Sequence, residues 1–434
     1  MEFDKKISLV SLGCAKNLVD SEILVGGLKK EGFKMIHEAK DADIVIVNTC
    51  GFLDTAREES VDTILDCVTL KDTANVKKLL VMGCFSERYG SDLVKEMPEV
   101  DKFFGTNDHS MVLSYLTGKK YKKDDPDYYR SILTPRHYAY LKVAEGCDNV
   151  CSFCSIPSMR GLQVSNTLEG NLIEAQRLAD NGVKEILIIA QDTTSYGWDL
   201  SPKSSLHELL DVLDGIANID WVRLHYAHPA HLNREVIKRF STLNKLVPYI
   251  DMPTQHGSDK ILKDMRRGLD SSGIKKRINA LRNANNEISI RTSIIVGFPG
   301  ETDKEFQELY NFIEEIKFDR LGVFQYSEEE GTHGANAFND DVPKKVKQER
   351  YETIMMLQQK INYKKNIDRI GSVEKILIDI VDDNEGWSLG RSYRDAPEID
   401  NYVKINQKLE TGKIYNVKIE EAYEYDVLGS VLNG

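Results

Sequence analysis

The segment Glu145–Gly161 places three cysteines in the spacing CxxxCxxC, at Cys147, Cys151 and Cys154. Thiolates this close together can share one metal centre, and free cysteines rarely cluster so tightly without a ligand role. Structural zinc sites have four ligands and usually come as paired CxxC or Cys/His sets. This run ends at three cysteines with no histidine nearby. An iron–sulfur cluster with one open iron therefore fits better than a zinc ion or three buried structural cysteines.

The size and composition of the chain indicate a globular, multidomain protein. Its 434 residues are enough for about three domains, and 41% of them are apolar. No signal peptide and no apolar run of 18 or more residues occurs, so we expect a cytoplasmic protein that does not enter a membrane. Cysteines in that compartment are reduced, and grouped cysteines there indicate metal binding or catalysis rather than disulfides. The formal charge of −12 disfavours a nucleic-acid partner and favours a basic one.

Three short apolar runs near the N-terminus each end in a cysteine, and helix-period segments separate them. The runs are Lys6–Cys14, Asp43–Cys50 and Val76–Cys84. This alternation predicts parallel βαβ units in which each cysteine is the last residue of its strand. Open parallel sheets bind ligands outside the carboxyl ends of their strands. We therefore expect Cys14, Cys50 and Cys84 to converge and hold a second cluster. The alternative, that a small residue simply ends each strand, is weaker because the same residue occurs at this position three times.

The segments between these runs have a helical pattern. The first begins at Asp20-Ser21-Glu22 and extends to about Gly32, and the second covers roughly Leu53–Val68. Cys67 lies on the apolar stripe of the second segment. Free cysteines on such a stripe are usually buried, so we predict that Cys67 is a core residue and not a ligand.

The first domain is predicted to span residues 1–106, and a linker to span 107–136. The linker assignment follows from a loss of apolar periodicity and from the mixed-charge sequence KKYKKDDPDYYR. Its basic residues Lys119–Lys123 could contact RNA, but the acidic residues directly after them favour a solvated surface.

Residues 137–368 alternate six strand patterns with helical patterns. The predicted strands are Ala139–Glu145, Glu185–Asp192, Trp221–Pro229, Tyr249–Gly257, Ile288–Gly300 and Arg320–Ser327, and a long helix covers Val342–Asp368. Six units are too few for a closed eight-stranded barrel, so we predict a partial (βα)6 barrel with its site at the carboxyl ends of the strands. His225, His228 and His231 could suggest zinc, but their spacing crosses a strand-to-turn boundary, which should keep their rings off one face.

Residues 369–434 show alternating patterns with Gly, Asn and Asp turns, which predict a small all-β barrel. From Asp368 to Gly434 the chain has 14 acidic and 8 basic residues. An acidic module repels phosphate and attracts a Lys- and Arg-rich protein. The fold class is therefore α/β, with a parallel-sheet domain, a partial barrel and an all-β barrel in that order.

Several phrases of the sequence resemble a known family. The CxxxCxxC segment resembles the radical S-adenosylmethionine (SAM) superfamily, and the three-cysteine N-terminal domain resembles its methylthiotransferases. The phrases GRSYRDAPEID and YDVLG are similar to their C-terminal TRAM domain. SLGCAKNLVDSE at Ser11–Glu22 and IPSMRG at Ile156–Gly161 resemble the RimO family, the branch that modifies a ribosomal protein. The tRNA-modifying branch typically has Gln in place of Ala15 and Met or an equivalent in place of Lys16.

This resemblance implies two [4Fe–4S] clusters. Cys147, Cys151 and Cys154 would hold the cluster that binds SAM through its fourth iron, and Cys14, Cys50 and Cys84 would hold the other. Further SAM contacts are implied at Phe153 beside the adenine, at the GFPG turn, and around the methionyl and ribose ends. The residues are Phe153; Gly297, Phe298, Pro299 and Gly300; and Gln191, Asp192, Arg291 and Ser293.

The implied reaction is methylthiolation of an aspartate β-carbon on the small-subunit ribosomal protein uS12. That carbon carries no acidic hydrogen, so acid–base catalysis cannot remove it and a cofactor must supply radical chemistry. The implied partners are uS12, an external electron donor and a contact on the ribosome or an accessory protein; RNA is not expected as a substrate. Two alternatives stay open. One is a tRNA methylthiotransferase acting on a modified adenosine near the anticodon, and the other is a non-catalytic, metal-stabilised module that binds the ribosome or RNA.

Overall fold

The computed structural model describes residues 5–121 and 130–432, and the chain divides into two units. The first unit holds the residues up to Thr134 with Glu145–Asn149 and Ser155–Gln163; the second holds Pro135–Ala144, Val150–Cys154 and the residues from Val164 onward. Cys147 thus belongs to the first unit, and Cys151 and Cys154 belong to the second. The boundaries predicted at residues 106, 136 and 368 stay predictions. Residues 122–129, which include part of the predicted linker and of its basic cluster, lie outside the described residues.

A five-stranded parallel sheet forms the centre of the first unit, in the order β2-β1-β3-β4-β5. Its strands are β1 Lys6–Ser11, β2 Lys34–Met35, β3 Ile44–Thr49, β4 Lys78–Gly83 and β5 Lys102–Phe103, and its helices are α1 Ala15–Lys30, α2 Asp54–Thr73, α3 Cys84–Glu96 and α4 His109–Thr117. All six residues of β3 are buried. An uninterrupted apolar strand is typical of a parallel sheet that is covered on both faces. The predicted parallel βαβ architecture is confirmed.

The prediction that each cysteine is the last residue of its strand is wrong. Strand β1 ends three residues before Cys14, which lies at the N-cap of α1, and β3 ends directly before Cys50. Cys84 is the first residue of α3. The chain makes this abrupt change at Gly83, whose φ of 102° lies in the region that favours glycine. The cysteines therefore follow the carboxyl ends of the strands, which is where an open sheet binds ligands.

Two helices differ from their predicted bounds. Helix α1 begins at Ala15 and not at Asp20, because its first turns bury polar side chains such as Asn17 and Glu22, which give no apolar periodicity. Helix α4 lies in the segment that was predicted to be a linker. Val112 and Leu113 of α4 are buried in the core of the first unit. Its nine residues are too short a window for a clear helical period.

An open six-stranded parallel sheet forms the centre of the second unit, in the order β13-β12-β11-β10-β9-β6. Its strands are β6 Tyr138–Lys142, β9 Glu185–Ile189, β10 Trp221–Leu224, β11 Leu246–Asp251, β12 Ser289–Val296 and β13 Arg320–Gln325. The other elements of the central region are two short strands, β7 Ala144–Glu145 and β8 Val164–Ser165, and the helices α5 Ile156–Arg160, α6 Leu168–Asp180, α7 Leu206–Asp214, α8 Arg234–Thr242, α9 Asp259–Asp264, α10 Ser271–Ala284, α11 Asp303–Ile316, α12 His333–Ala337 and α13 Lys344–Ile367. This confirms the predicted partial barrel. Strands β10 and β11 end earlier than predicted, at Leu224 and Asp251. Tyr226, two residues beyond β10, has a φ of 55°, and Gln255, four residues beyond β11, has a φ of 72°. A left-handed backbone does not continue a strand.

A closed five-stranded barrel follows, in the order β14-β15-β16-β18-β17. Its strands are β14 Val373–Asp382, β15 Trp387–Arg391, β16 Val403–Ile405, β17 Ile414–Ala422 and β18 Val427–Val431. Alternate residues such as Ile376 and Ile378 point inward and are fully buried. The predicted all-β barrel is confirmed.

The barrel packs on the amino-terminal ends of the parallel strands through buried ion pairs. Arg391 of β15 lies 2.8 Å from the carboxylate of Glu185, the first residue of β9, and also pairs with Asp379 at 2.6 Å. Arg320, the first residue of β13, donates to Asp395 in the barrel at 2.7 Å. The carboxyl ends of the six strands therefore face away from the barrel. None of the helices in the described ranges combines the length and the apolar composition that crossing a membrane requires.

Replacing Glu185 should destabilise the second unit. Glu185→Gln leaves Arg391 and Arg223, both fully buried, without a carboxylate that each contacts. Breaking a buried pair from one side costs about 3–5 kcal/mol. Urea unfolding followed by circular dichroism should show this loss. Glu410→Gln, which removes an exposed pair with Lys413, should change the free energy of unfolding by less than about 1 kcal/mol. Equal effects of the two substitutions would contradict this account of the junction.

Candidate active site

The structure brings Cys14, Cys50 and Cys84 together beyond the carboxyl ends of β1, β3 and β4. Cys14 is exposed, and the other two are buried. Gly13 has a φ of 85°, and a Cβ atom on it would lie 3.0 Å from the sulfur of Cys50. The loop that carries Cys14 therefore passes directly over Cys50, and a side chain at position 13 would close that approach. Three soft sulfur donors at one edge of the sheet fit an iron–sulfur cluster.

Burial and neighbouring charges control the protonation of these thiols. Burial raises the pKa of the Cys50 thiol, and the nearby Cys14 thiolate adds to the effect. Burial also raises the pKa of Cys84, to about 12, while the positive charge of Arg160 acts in the opposite direction. Only thiolates bind metal, so loading the site releases these protons.

Arg160 is a buried cation beside Cys84 of this cysteine set, and no role for it was predicted from the sequence. Its Nε donates to the sulfur of Cys84 at 3.3 Å. Its other nitrogens contact Asp20 at 3.0 Å and Glu145 at 2.9 Å. Asn17, whose Oδ1 accepts from Arg160 and whose Nδ2 donates to the carbonyl of Thr49 at 2.8 Å, connects this network to β3. The only signal in the sequence was that Asn17, Asp20 and Arg160 lie within the phrases that resemble the family.

Cys147 is held within the first unit. Its backbone N–H donates to the carbonyl of Gly161 at 3.1 Å, and its sulfur accepts from the side chain of Asn149 at 3.4 Å. Gly146 has a φ of 74°, and a Cβ atom there would lie 2.1 Å from the carbonyl oxygen of Leu162. Only glycine fits at that position. The backbone geometry on either side of it therefore fixes the position of Cys147.

Cys151 and Cys154 lie on a loop that is anchored within the second unit. Ser152 donates its backbone N–H to Met265 at 3.1 Å, and its carbonyl accepts from Gly334 at 2.6 Å. Arg267 is buried and donates from Nη1 to the sulfur of Cys151 at 3.1 Å. Phe153 packs against an apolar cluster whose buried members are Ile261, Met265, Phe298 and Tyr326. This loop therefore has the rigid support that a metal site requires.

His228 and His231 lie together with Asp192, which corrects the prediction that their rings would not share a face. The rings stack at 4.7 Å, and His231 Nδ1 lies 2.7 Å from the carboxylate of Asp192. A tight turn produces this pairing, since the backbone N–H of His231 donates to the carbonyl of His228 at 3.0 Å. His225 lies outside the group and has Asp251 at 4.0 Å.

The three residues of this group could surround a cation, because one ligand atom from each lies within 4.8 Å of the others. The hydrogen bonds favour a different role. Nδ1 of His228 accepts the backbone N–H of Ala230 at 3.2 Å, so the neutral ring carries its proton on Nε2. Burial, followed by the charge of Arg267, lowers the pKa of His228 to about 3. His228 is thus a neutral N–H donor, which suits a ligand oxygen and not a metal ion.

The carboxylate of Asp192 is ionised and held in one orientation. Burial alone would raise its pKa, but the hydrogen bond from His231 and the neighbouring His228 lower the pKa to about 2. Its Oδ1 also accepts the backbone N–H of Thr194 at 2.9 Å. A fixed carboxylate at the end of a parallel strand can accept hydrogen bonds from sugar hydroxyls. Gln191, half-buried, precedes it beyond the end of β9.

Arg291 and Ser293 lie on β12. The guanidinium of Arg291 already contacts Asp251 at 3.1 Å and Asp400 of the barrel at 3.3 Å. Ser293 is half-buried, and its carbonyl accepts the backbone N–H of Gln255 at 2.9 Å. Any contact of Arg291 with SAM would therefore compete with two carboxylates.

The turn Gly297–Gly300 directly follows β12, and a buried carboxylate fixes it. Glu301 accepts the backbone N–H of Gly297 at 3.0 Å and pairs with His256 at 3.0 Å and Arg350 at 2.9 Å. Gly297 has a φ of 73°, and a Cβ atom on it would lie 2.3 Å from Cγ of Lys347. The alkyl chain of Lys347 thus lies directly over Gly297.

Phe298 and Pro299 occupy the middle of this turn. Phe298 is fully buried, with its ring centroid 5.1 Å from that of Tyr326 and 5.7 Å from that of Phe338. Its ring therefore anchors the turn in the core of the second unit. Lys347 and Arg350 were not predicted from the sequence, because both lie on α13, about 50 residues away from the turn that they hold.

Gly297→Ala should destabilise the protein more than Gly300→Ala. Both glycines have a positive φ, but a Cβ atom on Gly300 would meet only Lys260 Nζ at 3.6 Å, whereas one on Gly297 would collide with Lys347. Strain of the backbone is common to both variants, and overpacking adds about 1–3 kcal/mol in the first. Urea unfolding of the two variants measures the difference. If both lose the same stability, Lys347 does not define the space over Gly297.

Three family models match the chain in succession. Residues 6–105 match the Uncharacterized protein family UPF0004, residues 141–313 match the Radical SAM superfamily, and residues 370–432 match the TRAM domain. Solved structures with a similar fold include the radical SAM methyltransferase TsrM from Kitasatospora setae with cobalamin and a [4Fe–4S] cluster bound. Its TM-score is 0.59 at 13% identity, and the match covers 76% of this chain and 74% of that one. This likeness shows the fold.

Curated relatives match over nearly the whole length. Ribosomal protein uS12 methylthiotransferase RimO of Christiangramia forsetii is 46% identical over 437 residues, which cover 99% of this chain and 94% of the relative. The protein of the same name from Aquifex aeolicus is 45% identical, with 98% and 96% covered. That from Clostridioides difficile is 43% identical, with 98% and 99% covered.

Proposed function

This chain belongs to the RimO family of radical SAM methylthiotransferases, and we propose that it adds a methylthio group to the β-carbon of an aspartate of ribosomal protein uS12. The observation that carries this proposal is the near-full-length similarity to enzymes of that name. The two sets of three cysteines support it, because each set supplies the donors for one cluster. The chain is an enzyme, and the reaction implied by its family needs radical chemistry.

The proposal assigns a [4Fe–4S] cluster to each cysteine set. Cys147, Cys151 and Cys154 would hold the cluster that binds SAM, and the set of Cys14, Cys50 and Cys84 would hold the second cluster and the sulfur to be transferred. When bound, the first cluster and SAM supply one-electron cleavage of SAM and a carbon-centred radical. An external donor must supply the electron. Three protein ligands per cluster leave one iron with an open position in each.

The residues proposed to line the SAM site lie at the carboxyl ends of β9 and β12 and on the Cys151–Cys154 loop. They are Phe153, Gln191, Asp192, Gly297, Phe298, Pro299 and Gly300, together with Arg291 and Ser293 within β12. The fixed carboxylate of Asp192 would accept the ribose hydroxyls. Glu301 keeps the backbone of the turn in place, and this backbone would contact the adenosine. Arg291 would act through its pair with Asp251, and not as a free cation.

The barrel presents a surface that suits a basic protein. The turn between β17 and β18 exposes acidic residues, and Tyr423 and Tyr425 beside them are 49% and 43% exposed. The acidic residues are Glu424 and Asp426 in the turn, with Glu420 and Glu421 at the end of β17 before it. Such a surface attracts the Lys- and Arg-rich segments of a ribosomal protein and repels phosphate. It supports uS12 over tRNA as the substrate, with a further contact on the ribosome or an accessory protein.

Mass spectrometry tests the choice of substrate. The anaerobically reconstituted protein is incubated with SAM and dithionite, and a peptide of the uS12 aspartate loop or tRNA is offered in parallel. We expect a methylthio gain on the peptide aspartate and none on tRNA. A gain on tRNA alone would overturn the assignment of uS12, and no gain on either, with both clusters present, would overturn the proposed reaction.

Single cysteine substitutions should divide the seven cysteines into two classes. Replacing any one of the six proposed ligands by Ala should lower product formation at least about a hundredfold, because each cluster then lacks a ligand. Cys67→Ala is the control. Cys67 is 4% exposed, and burial raises its pKa to about 11, so it is an inert core thiol. Loss of product in Cys67→Ala with unchanged iron content would contradict this division.

A further inference from the structure

Each cysteine set has one buried arginine on one of its sulfur atoms. Arg160 lies in the first unit with Nε 3.3 Å from the sulfur of Cys84, and Arg267 lies in the second unit with Nη1 3.1 Å from the sulfur of Cys151. The two side chains are 5% and 6% exposed. Hydrogen bonds to the sulfur ligands and the net charge around a cluster set its reduction potential. A positive charge stabilises the reduced form, which carries one more electron.

The two arginines differ in how their charge is balanced. Arg160 contacts two carboxylates, those of Asp20 at 3.0 Å and Glu145 at 2.9 Å. The second partner of Arg267 is the neutral backbone carbonyl of Pro253 at 2.7 Å. In the part of the chain that the structure describes, the Arg267 guanidinium forms no ion pair with a carboxylate: Nη1 contacts Cys151, Nη2 contacts Pro253, and Nε has no hydrogen-bond partner. One cysteine set therefore has a guanidinium beside it whose charge two carboxylates neutralise, and the other has a guanidinium that forms no ion pair with a carboxylate.

We infer that Arg267 is a positioning residue that raises the reduction potential of the SAM-binding cluster, whereas Arg160 holds Cys84 in place with little effect on potential. This rests on the proposed function, in which only the SAM-binding cluster has to accept an electron from an external one-electron donor. The second cluster would hold the sulfur, and joining a methylthiolate to a carbon radical releases one electron, which this cluster would take up without an external donor. For holding the sulfur, the fixed position of the Cys84 thiolate is what Arg160 supplies. The cluster that an external donor has to reduce is thus the one whose neighbouring arginine forms no ion pair with a carboxylate.

Redox titration of each cluster alone tests this inference. Full-length protein with Cys14, Cys50 and Cys84 replaced by Ala retains the SAM-binding set, and the corresponding triple variant of Cys147, Cys151 and Cys154 retains the other set. Arg267→Gln is introduced into the first background and Arg160→Gln into the second. Electron paramagnetic resonance then follows the reduced fraction of each reconstituted cluster at fixed potentials, and iron analysis gives its occupancy.

In Arg267→Gln we expect the ratio of reduced to oxidised cluster at a fixed potential to fall about tenfold, which is 59 mV for a one-electron couple. In Arg160→Gln we expect a change of less than about threefold, with lower iron content because Cys84 is no longer held. A shift in Arg267→Gln no larger than that in Arg160→Gln would overturn the inference. A tenfold shift in Arg160→Gln would overturn it as well.

Lysine variants keep the test decisive if a glutamine variant does not assemble its cluster. Arg267→Lys retains the charge without the forked geometry. In this variant the ratio of reduced to oxidised cluster at a fixed potential should stay within about threefold of the ratio in the parent protein. A tenfold fall in Arg267→Lys would refute the role of charge. The result is separable from the proposed function, because the potentials are measured without SAM or uS12. A protein that shows the predicted shifts but forms no product would refute the proposed reaction alone.

Discussion

Pairing of buried arginines with carboxylates is the interaction on which both units of this protein depend. A buried charge without a partner costs several kcal/mol, so each pair holds its elements in one arrangement. In the first unit Arg160 contacts Asp20 and Glu145. In the second, Arg391 and its partner Glu185 join the barrel to the amino-terminal end of the parallel sheet. That placement keeps the carboxyl ends of the strands, where parallel sheets carry their chemistry, clear of the barrel.

The features that could be predicted from the sequence are those with a local signature. Six strand patterns in succession predict a parallel sheet in which neighbours in sequence are neighbours in space, and the order β6-β9-β10-β11-β12-β13 agrees. Alternation over the last 65 residues or so predicts the closed barrel. Cysteine spacing identifies the thiols as candidate ligands, because few other roles require such spacing. Each of these inferences uses residues that lie close together in the chain.

The features that could not be predicted depend on partners far apart in sequence. Arg160 and Asp20 are 140 residues apart, and no period or spacing connects them. Lys347 of α13 fills the space over Gly297, and nothing in the sequence of that helix indicates which turn the side chain contacts. The pairing of His228 with His231 depends on a single turn, and strand periodicity suggested the opposite. Side-chain partners of this kind decide the electrostatics of the candidate site, so the geometry had to come from the structure.

Iron and sulfide analysis of the anaerobically reconstituted protein, combined with Mössbauer spectroscopy, tests most directly the central claim that two cysteine sets hold two clusters. The account predicts about eight iron atoms per chain in [4Fe–4S] form, since two such clusters are assigned. It predicts about four when either set of three cysteines is replaced by alanine. Zinc in place of iron would contradict the two-cluster assignment. So would about four iron atoms in the unaltered chain, if replacing one cysteine set removed all of them and replacing the other set removed none.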